Sequence, residues 1–242
     1  MSLFALDHRS GEAIYSQIRR MIEKEIHEHY RPGDRLPSET ALAERFGVNR
    51  HTLRRAVDAL VASGLLSRRH GLGVYVLEPQ VPYSIDREAR FTVNLEHLSK
   101  PASVRLLHRQ VIPVRDLEAR QLGLEEGAAA VWVGTLRLVE GKPFSLIDHF
   151  LPQAMFPKVA EEYGGGSLHA FLLEQYGVRP RKAGCWISSV RPMGDDALQL
   201  QMPDHETMLR VRTLNVDPRD GSPVEYAVSR FRASRVELEM KF

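Results

Sequence analysis

Cysteine is nearly absent from this chain of 242 residues, which contains a single one, Cys185. One cysteine cannot form an intramolecular disulfide or a cysteine-based metal cluster, and it suits a reducing compartment. No apolar run approaches the roughly 20 residues that a membrane-spanning helix needs. The first residues, Met1 to Asp7, lack the basic-then-apolar layout of a secretion signal. We therefore expect a cytoplasmic protein that does not associate with membranes.

Recognisable catalytic motifs are also missing. The chain has no glycine-rich phosphate loop ending in lysine, no His-Glu-x-x-His motif and no nucleophile elbow. His27 and His29 lie two positions apart on an expected helix, so they face different sides and are poor joint metal ligands. His149 and His169 could meet in a pocket, but we do not expect them to hold a metal. The sequence therefore predicts no enzyme activity, no metal site and no cofactor.

The net charge of the chain is only +2, but it is unevenly distributed. Residues 1–77 carry 12 lysines and arginines against 9 acidic residues, whereas residues 78–242 carry 21 against 22. Within residues 45–73, six arginines stand against one acid, Asp58. A concentrated basic patch on a nearly neutral chain is typical of proteins that bind a polyanion.

The stretch from Asn49 to Leu60 predicts an amphipathic helix. Its apolar residues recur at the spacing of one helical face, at Leu53, Val57, Leu60 and Val61. The opposite face is basic and carries Arg50, His51, Arg54 and Arg55. Asn49 can cap the first turn, and Gly64 can end the helix in a left-handed conformation. Such a helix suits the major groove of DNA, although a charged face that contacts only solvent has the same composition.

The surrounding residues complete a winged helix-turn-helix. We expect an amphipathic helix over residues 12–29, which the Pro32-Gly33 turn ends. Ser38 can cap a short second helix, and Gly47 opens the turn into the basic helix. Further on, two β-prone runs around Gly71-x-Gly73 predict a hairpin. This wing would bring three basic residues to the phosphates or the minor groove: Arg68, Arg69 and His70.

Three segments of this region resemble the GntR superfamily of bacterial transcriptional regulators: Leu36 to Glu39, Val48 to Arg54, and Arg69-x-Gly71-x-Gly73. The resemblance implies that Ser38, Asn49 and Thr52 hold phosphates. It also implies that Arg50 and Arg54 read guanine edges, which arginine can do with two hydrogen bonds, and that His70 and Gly71 reach the minor groove. Thr40 stands where some relatives have a DNA-contacting arginine, so that contact is not expected. The expected DNA-binding residues are therefore Ser38, Asn49, Arg50, His51, Thr52, Arg54, Arg55, Arg68, Arg69, His70, Gly71 and Gly73.

The remainder of the chain begins with an expected linker, residues 78–86, and continues with an internal repeat. The linker has two prolines and no helical or alternating pattern. Seven residues recur 78 positions later: Ala119, Leu122, Leu124, Val131, Val133, Thr135 and Leu136 become Ala197, Leu200, Met202, Leu209, Val211, Thr213 and Leu214. Each copy predicts a short helix, a long strand, a Gly-Pro turn and a second strand. Two copies predict an α+β domain, with one antiparallel sheet of pseudo-twofold symmetry, helices on one face, and a pocket at the seam.

Polar residues mark this second region in two places. The run from Gly164 to Ser167 opens a helix whose free N–H groups could bind an anion, although a flexible loop with a capping serine looks the same. The repeat strands carry polar residues that break the symmetry, namely Arg137 and Asp148 in one copy and Arg212, Glu225 and Tyr226 in the other. An exposed strand face is the alternative explanation for these.

Residues 87–242 resemble the effector-binding UTRA domain of the HutC-type branch of the GntR superfamily, whose fold is related to that of chorismate lyase. The segments that carry this resemblance are Ala89 to Phe91, Leu146 to His149, Gly166 to His169, and Val211 to Asn215. Within the branch, they are similar to regulators of phosphonate metabolism. The resemblance implies that a small molecule, often a phosphorylated metabolite, binds between the repeats. The matching positions are Arg90, Phe91, Thr92, Arg137, Ser167, Glu225 and Tyr226, and the strand pattern adds Asp148.

Together these features predict a homodimeric, ligand-responsive repressor. Residues 1–77 would form its DNA-binding domain, residues 78–86 its linker and residues 87–242 its effector-binding and dimerisation domain. Its partners would be double-stranded, pseudo-palindromic operator DNA and a small anionic effector, either a phosphonate, a phosphate ester or phosphate. Two alternatives stay open: a lyase-type enzyme joined to a DNA-binding head, and a constitutive DNA-binding dimer without an effector.

Overall fold

The computed structural model describes residues 6–7, 11–69, 71–77, 80–85 and 101–240. The chain divides into two compact units, Met1–Gln80 and Val81–Phe242. Each unit has its own hydrophobic core. Among the described helices, none is both long enough and apolar enough to cross a membrane.

The described part of the first unit consists of helices followed by a hairpin. In chain order its elements are α1 (Ile14–His29), α2 (Glu39–Phe46), α3 (Arg50–Ala62), β1 (Leu66–Arg69) and β2 (Gly73–Val76). The isoleucines of α1 are four residues apart, so they lie on one face and pack into the core together with apolar residues of α2 and α3. Strands β1 and β2 pair antiparallel, with Arg69 opposite Gly73. The predicted winged helix-turn-helix arrangement is thereby present.

Local capping explains where these helices begin and end. The Ser38 side chain accepts a hydrogen bond from the Ala41 N–H at 3.1 Å, and Asn49 accepts one from the Thr52 N–H at 2.8 Å. Gly47 follows α2 with a φ of 65°, which permits the tight turn into α3. The three predictions for Ser38, Gly47 and Asn49 are confirmed.

The second unit is built on a six-stranded sheet. Its elements are β3 (Val81–Ser84), β4 (Ala102–Pro113), α4 (Asp116–Leu122), β5 (Ala129–Val139), β6 (Lys142–Pro152), α5 (Val159–Glu162), α6 (Leu168–Tyr176), β7 (Arg181–Val190), α7 (Asp196–Gln199), β8 (Met208–Val216), β9 (Pro223–Arg232) and β10 (Val236–Glu239). The sheet has the strand order β4-β5-β6-β9-β8-β7, and all its neighbouring strands are antiparallel. Strands β3 and β10 form a separate parallel pair.

This strand order shows the predicted repeat. The series β4-α4-β5-β6 is matched by β7-α7-β8-β9, and β6 pairs with β9 at the centre of the sheet. Each copy also contains an edge strand, β4 or β7, that the sequence prediction omitted. Both edge strands are largely exposed, so neither has the alternating apolar pattern that identifies a half-buried strand.

Helices cover both faces of the sheet, which corrects the expectation that they lie on one. Successive residues of a strand point to opposite faces. On β5, Ala130 packs in a cluster with residues of α4, whereas Val131 and Val133 pack in a cluster with α5 and α6. The repeat helices therefore occupy one face, and the helices inserted between the two copies occupy the other.

Part of the expected linker is a strand of the second unit. Residues 81–84 form β3, whose Val81 and Tyr83 are buried. Val81 and Tyr83 alternate with Pro82 and Ser84, but the proline obscured this pattern in the sequence. A proline is tolerated here because β3 pairs with β10 on one side and is not a central strand.

Candidate functional site

Helix α3 turns its basic residues away from the core. Leu53, Val57 and Leu60 have 0% exposure, whereas Arg50 and Arg54 are exposed. Because these two arginines are four residues apart, they lie one above the other on the same side of the helix. His51, next to them, is also exposed. The first two turns of α3 therefore present a cationic surface to a partner.

A groove lies between this surface and the hairpin. It is lined by residues that include Arg35, Ser38, Arg54, Arg69 and Gly71. Gly73 has a φ of 114°, and a Cβ atom there would lie 2.9 Å from the Arg35 Nε. Glycine therefore allows the Arg35 guanidinium to lie against the backbone of the wing. The lining contains four arginines, Arg35, Arg54, Arg68 and Arg69, against one acidic residue, Glu39. Such a cationic groove suits the phosphate backbone of a nucleic acid.

Two arginines of the same unit have different surroundings. Arg68 forms ion pairs with Glu39 of α2, at 2.6 Å, and with Asp58 of α3. The hydrogen bond to Asp58 is the main cause of a raised Arg68 pKa. Arg55 places its guanidinium 3.9 Å from the centre of the Tyr15 ring on α1, a cation–π contact. Both side chains thus connect elements within the unit.

The second unit contains a pocket on the sheet face that packs against α6. Its polar side chains come from strands of both repeat copies and from the start of α6, and they include Arg137, His149, Ser167, His169, Lys182, Thr213, Asn215, Glu225 and Ser229. Tyr83 and Ile85, in and just after β3, complete its wall. The free space in the pocket is about 70 Å³. The predicted site at the seam of the repeats is therefore a cavity in the structure.

Glu225 lies at the centre of the hydrogen bonding in this pocket. Its Oε1 atom is 2.5 Å from the Nδ1 atom of His149, and its Oε2 atom is 2.6 Å from the Nε2 atom of His169. The Asn215 Nδ2 group also donates to Oε2, at 2.7 Å. Glu225 is completely buried, so these three side chains take the place of water around its carboxylate.

This environment determines the charge states of Glu225 and His149. Burial by itself would raise the pKa of the Glu225 carboxyl, but the attraction of His169 and the hydrogen bonds from both histidines outweigh burial and hold that pKa well below its usual range. Burial lowers the pKa of His149, and its hydrogen bond to Glu225 does not cancel this effect. Glu225 is therefore an anion, and a neutral His149 donates to it through Nδ1.

Positive groups lie in the same pocket. Arg137 is only 5% exposed, and although burial lowers its pKa, a guanidinium remains a cation in proteins. Ser167 caps α6 by accepting a hydrogen bond from the Ala170 N–H at 3.2 Å. The preceding glycines, Gly165 and Gly166, have φ values of 120° and 79°, so the loop turns sharply into the helix. A helix N-terminus beside a buried arginine favours an anionic ligand.

Known families match both units of the chain. Residues 12–76 match the family described as bacterial regulatory proteins, gntR family, and residues 97–237 match the UTRA domain. The chain is 41% identical to the "Probable transcriptional regulator PhnF" of Escherichia coli (strain K12) over 94% of each protein. The chain belongs to the GntR family of transcriptional regulators.

Two further relatives of this GntR-family regulator were found, one by sequence and one by structure. It is 32% identical to the mannosyl-D-glycerate transport/metabolism system repressor MngR of Escherichia coli (strain K12), over 66% of this chain and 68% of that protein. The crystal structure of PhnF from Mycobacterium smegmatis has a TM-score of 0.67 at 22% identity, covering 93% of this chain and 98% of that one. Members of this family bind DNA, and UTRA domains bind small-molecule effectors.

The structure brings three of the predicted effector residues of the GntR-family regulator together: Arg137, Ser167 and Glu225. Asp148 and Tyr226 do not line this pocket, which corrects their assignment to it. Neighbouring residues of a strand point to opposite faces of the sheet. His149 and Glu225 point into the pocket, so Asp148 and Tyr226 point to the other face. Asp148 instead accepts hydrogen bonds from the Trp132 Nε1 at 2.8 Å and from Arg230 at 2.6 Å. Tyr226 packs in the cluster that contains α4.

Other predicted positions of the regulator lie outside the described residues. These are His70, Arg90, Phe91 and Thr92. Conversely, the structure adds Arg35, Tyr83, Lys182 and Asn215, which the sequence prediction did not assign to either site. It also brings His149 and His169 together on Glu225, as the sequence indicated they could meet, although neither was assigned to effector binding. Two signals could have found some of them. Strand alternation places His149 on the side of the sheet opposite Asp148, and the repeat offset pairs Asn215 with Arg137.

Proposed function

We propose that this regulator is a homodimeric repressor of the HutC type that acts in the cytoplasm and releases its operator when a small anionic effector binds. The observation that carries the proposal is the buried Arg137 beside the N-terminus of α6, in a domain whose relatives bind effectors. A guanidinium binds anionic oxygens with charge-assisted hydrogen bonds, and the positive end of a helix dipole also attracts an anion. The relative MngR is named a repressor, which supports repression as the mode of control.

The DNA-binding residues follow from the cationic surface of the first unit. We assign base reading to Arg50 and Arg54, because a guanidinium can bond two atoms of a guanine edge. Ser38, Asn49 and Thr52 would position the phosphates, and His51, Arg69, Gly71 and Gly73 would complete the contact surface. Arg35 joins this set, whereas Arg55 and Arg68 act within the unit through the contacts described above. A dimer matches a pseudo-palindromic operator because each half-site then receives one recognition helix.

The effector that we propose is a phosphonate, a phosphate ester or phosphate. Arg137, Lys182 and the N–H groups at the start of α6 are the groups that recognise such anions. The sequence motifs resemble regulators of phosphonate metabolism, and this resemblance supports a link to phosphorus compounds.

Coupling of the two units would pass through β3. Tyr83 and Ile85 line the pocket, and β3 begins at Val81, the first residue of the second unit. An effector that contacts these residues acts on the segment that directly follows the DNA-binding unit. Release of DNA then requires that the effector bind one position of this segment better than another.

Fluorescence anisotropy tests the proposal. The full-length protein is bound at fixed salt to the promoter fragment upstream of its own gene and titrated with phosphonates, phosphate esters, phosphate and, as a control, neutral sugars. We expect sequence-specific binding that one class of anion reverses. In Arg137→Met, DNA binding should persist while release is lost, and circular dichroism should confirm that this variant is folded.

Three results would each contradict a part of the proposal. Binding that is equal for operator and unrelated DNA removes the operator assignment. Specific binding that no anion reverses removes the effector assignment, and a monomer in sedimentation of the DNA complex removes the dimer.

A further inference from the structure

Two hydrogen-bond acceptors in the pocket lack a hydrogen-bond partner in the part of the chain that the structure describes. They are the Oδ1 atom of Asn215 and the Nε2 atom of His149, both buried. Their residues are 3% and 4% exposed, and both line the pocket. Buried polar atoms in native proteins are nearly always hydrogen-bonded. These two atoms therefore indicate which groups a bound molecule has to supply.

Glu225 fixes the orientation of both side chains. A carboxylate only accepts hydrogen bonds, so the Asn215 amide must direct its Nδ2 group to Glu225 and keep Oδ1 on its other side. His149 must likewise donate through Nδ1, which leaves Nε2 of the neutral ring as an acceptor. Asn215 lies directly opposite Glu225 on the neighbouring strand, and His149 lies opposite Ala227, two residues further along β9. Both acceptors thus belong to the surroundings of one buried carboxylate.

Other groups that line the pocket have the opposite preference. Arg137 and Lys182 are cations, and the N-terminal turn of α6 begins at Leu168, next to the capping Ser167. The pocket therefore contains two hydrogen-bond acceptors, Asn215 Oδ1 and His149 Nε2, together with groups that attract negative charge. In phosphate the hydrogen-bond donors and the charged oxygens are on the same small ion, so it cannot hold a donor group at a distance from its negative charge.

We propose that the effector is a short zwitterion, an aminoalkyl phosphonate or aminoalkyl phosphate. Its ammonium group donates hydrogen bonds to Asn215 Oδ1 and His149 Nε2, and its anionic group binds Arg137 and the start of α6. An ammonium group suits these acceptors better than a hydroxyl group because the Glu225 carboxylate lies directly behind them. The pocket is small, about 70 Å³, which favours a compact molecule with a short spacer between the two charges. This inference rests on the proposed function, since it assumes that an anionic effector occupies this pocket.

Calorimetric titration of the full-length protein tests this proposal with three matched compounds. They are 2-aminoethylphosphonate, 2-aminoethyl phosphate and n-propylphosphonate, in which a methyl group replaces the ammonium group at nearly equal size. We expect the propyl compound to bind roughly tenfold to a hundredfold more weakly than 2-aminoethylphosphonate, the factor for a lost hydrogen-bonded charge. The two amino compounds distinguish a phosphonate from a phosphate ester as the source of the anionic group.

A pair of variants assigns the effect to the acceptors. Asn215→Leu removes Oδ1 at similar size. In this variant the ratio of the affinities for 2-aminoethylphosphonate and n-propylphosphonate should fall toward one. In Gln110→Leu, a matched change of an exposed amide on the edge strand β4, outside the pocket, this ratio should be unchanged. Equal binding of 2-aminoethylphosphonate and n-propylphosphonate to the native protein would overturn this inference and leave the proposed function standing. Binding of none of the three compounds would also overturn this inference, whereas the proposed function falls only if no anion releases the operator in the anisotropy titration.

Discussion

Replacing Glu225 by glutamine should destabilise the second unit, although the side chain hardly changes in size. The carboxylate is completely buried and lies within hydrogen-bond distance of three nitrogen donors, on His149, His169 and Asn215. A carboxamide has one oxygen, and its NH₂ group would face at least one of these donors. A hydrogen bond to a charged group contributes about 1.5–3 kcal/mol, and a buried donor left unpaired costs about 1–3 kcal/mol. We therefore expect the free energy of unfolding to fall by about 1.5–3 kcal/mol.

Tryptophan fluorescence measures this change in the full-length protein. The chain has two tryptophans, Trp132 and Trp186, and both belong to the second unit. Urea unfolding monitored with selective tryptophan excitation therefore reports on the unit that contains Glu225. Glu174→Gln is the matched control, because Glu174 is an exposed residue of α6 and its loss should change the stability by less than about 0.5 kcal/mol. If Glu225→Gln is no more destabilising than this control, the hydrogen-bonded network does not stabilise the unit as we describe.

Three further predictions follow from the two sites. Arg54→Ala should weaken operator binding by about 1–3 kcal/mol, whereas Arg19→Ala, which alters an arginine of α1, should have little effect; equal losses in anisotropy measurements at fixed salt would refute the assigned surface. Gly73→Ala should also lower operator affinity, because its Cβ would lie 2.9 Å from the Arg35 Nε and its φ is 114°; an unchanged affinity would show that this contact does not shape the surface. The third prediction concerns pH. Since burial lowers the pKa of His149 from its ordinary value of about 6.5, the unfolded chain binds protons more readily below that pH. The contribution of His149 to stability should therefore be fully present above about pH 6.5 and should decline as the pH falls. Tryptophan-monitored unfolding between about pH 7.5 and pH 5 checks this, and a stability that rises toward acid would contradict it.

Local signals in the sequence were sufficient to predict the first unit. Ser38, Gly47 and Asn49 act through hydrogen bonds or φ angles that involve only their close neighbours in sequence. The partners of the arginines could not be predicted in this way. Arg68 meets Glu39, which is 29 positions away, and Arg55 meets Tyr15 on another helix. Only the packing of the unit shows that these side chains have partners within it.

In the second unit, the prediction of the site depended on which face of the sheet each strand residue occupies. The repeat identified the central strands, because its apolar residues recur at a constant offset. The prediction nevertheless placed Asp148 and Tyr226 in the pocket, and this was wrong. The residues that line it are their neighbours in sequence, His149 and Glu225. A difference of one position moves a side chain to the other face of a sheet. The edge strands β4 and β7 were missed because exposure on both faces leaves no apolar pattern.

The parallel pairing of β3 with β10 limits how this effector domain can be exchanged between regulators. Val81 pairs with Val236 and Ser84 with Glu239, so the beginning of the second unit is held by its end. A hybrid protein joined at residue 86, where the sequence alone places the domain boundary, would deprive β10 of its partner and the pocket of Tyr83. A junction before Val81 keeps both. Engineered biosensors, and natural recombination between regulators of this kind, should therefore preserve residues 81–85 together with the sheet that follows them.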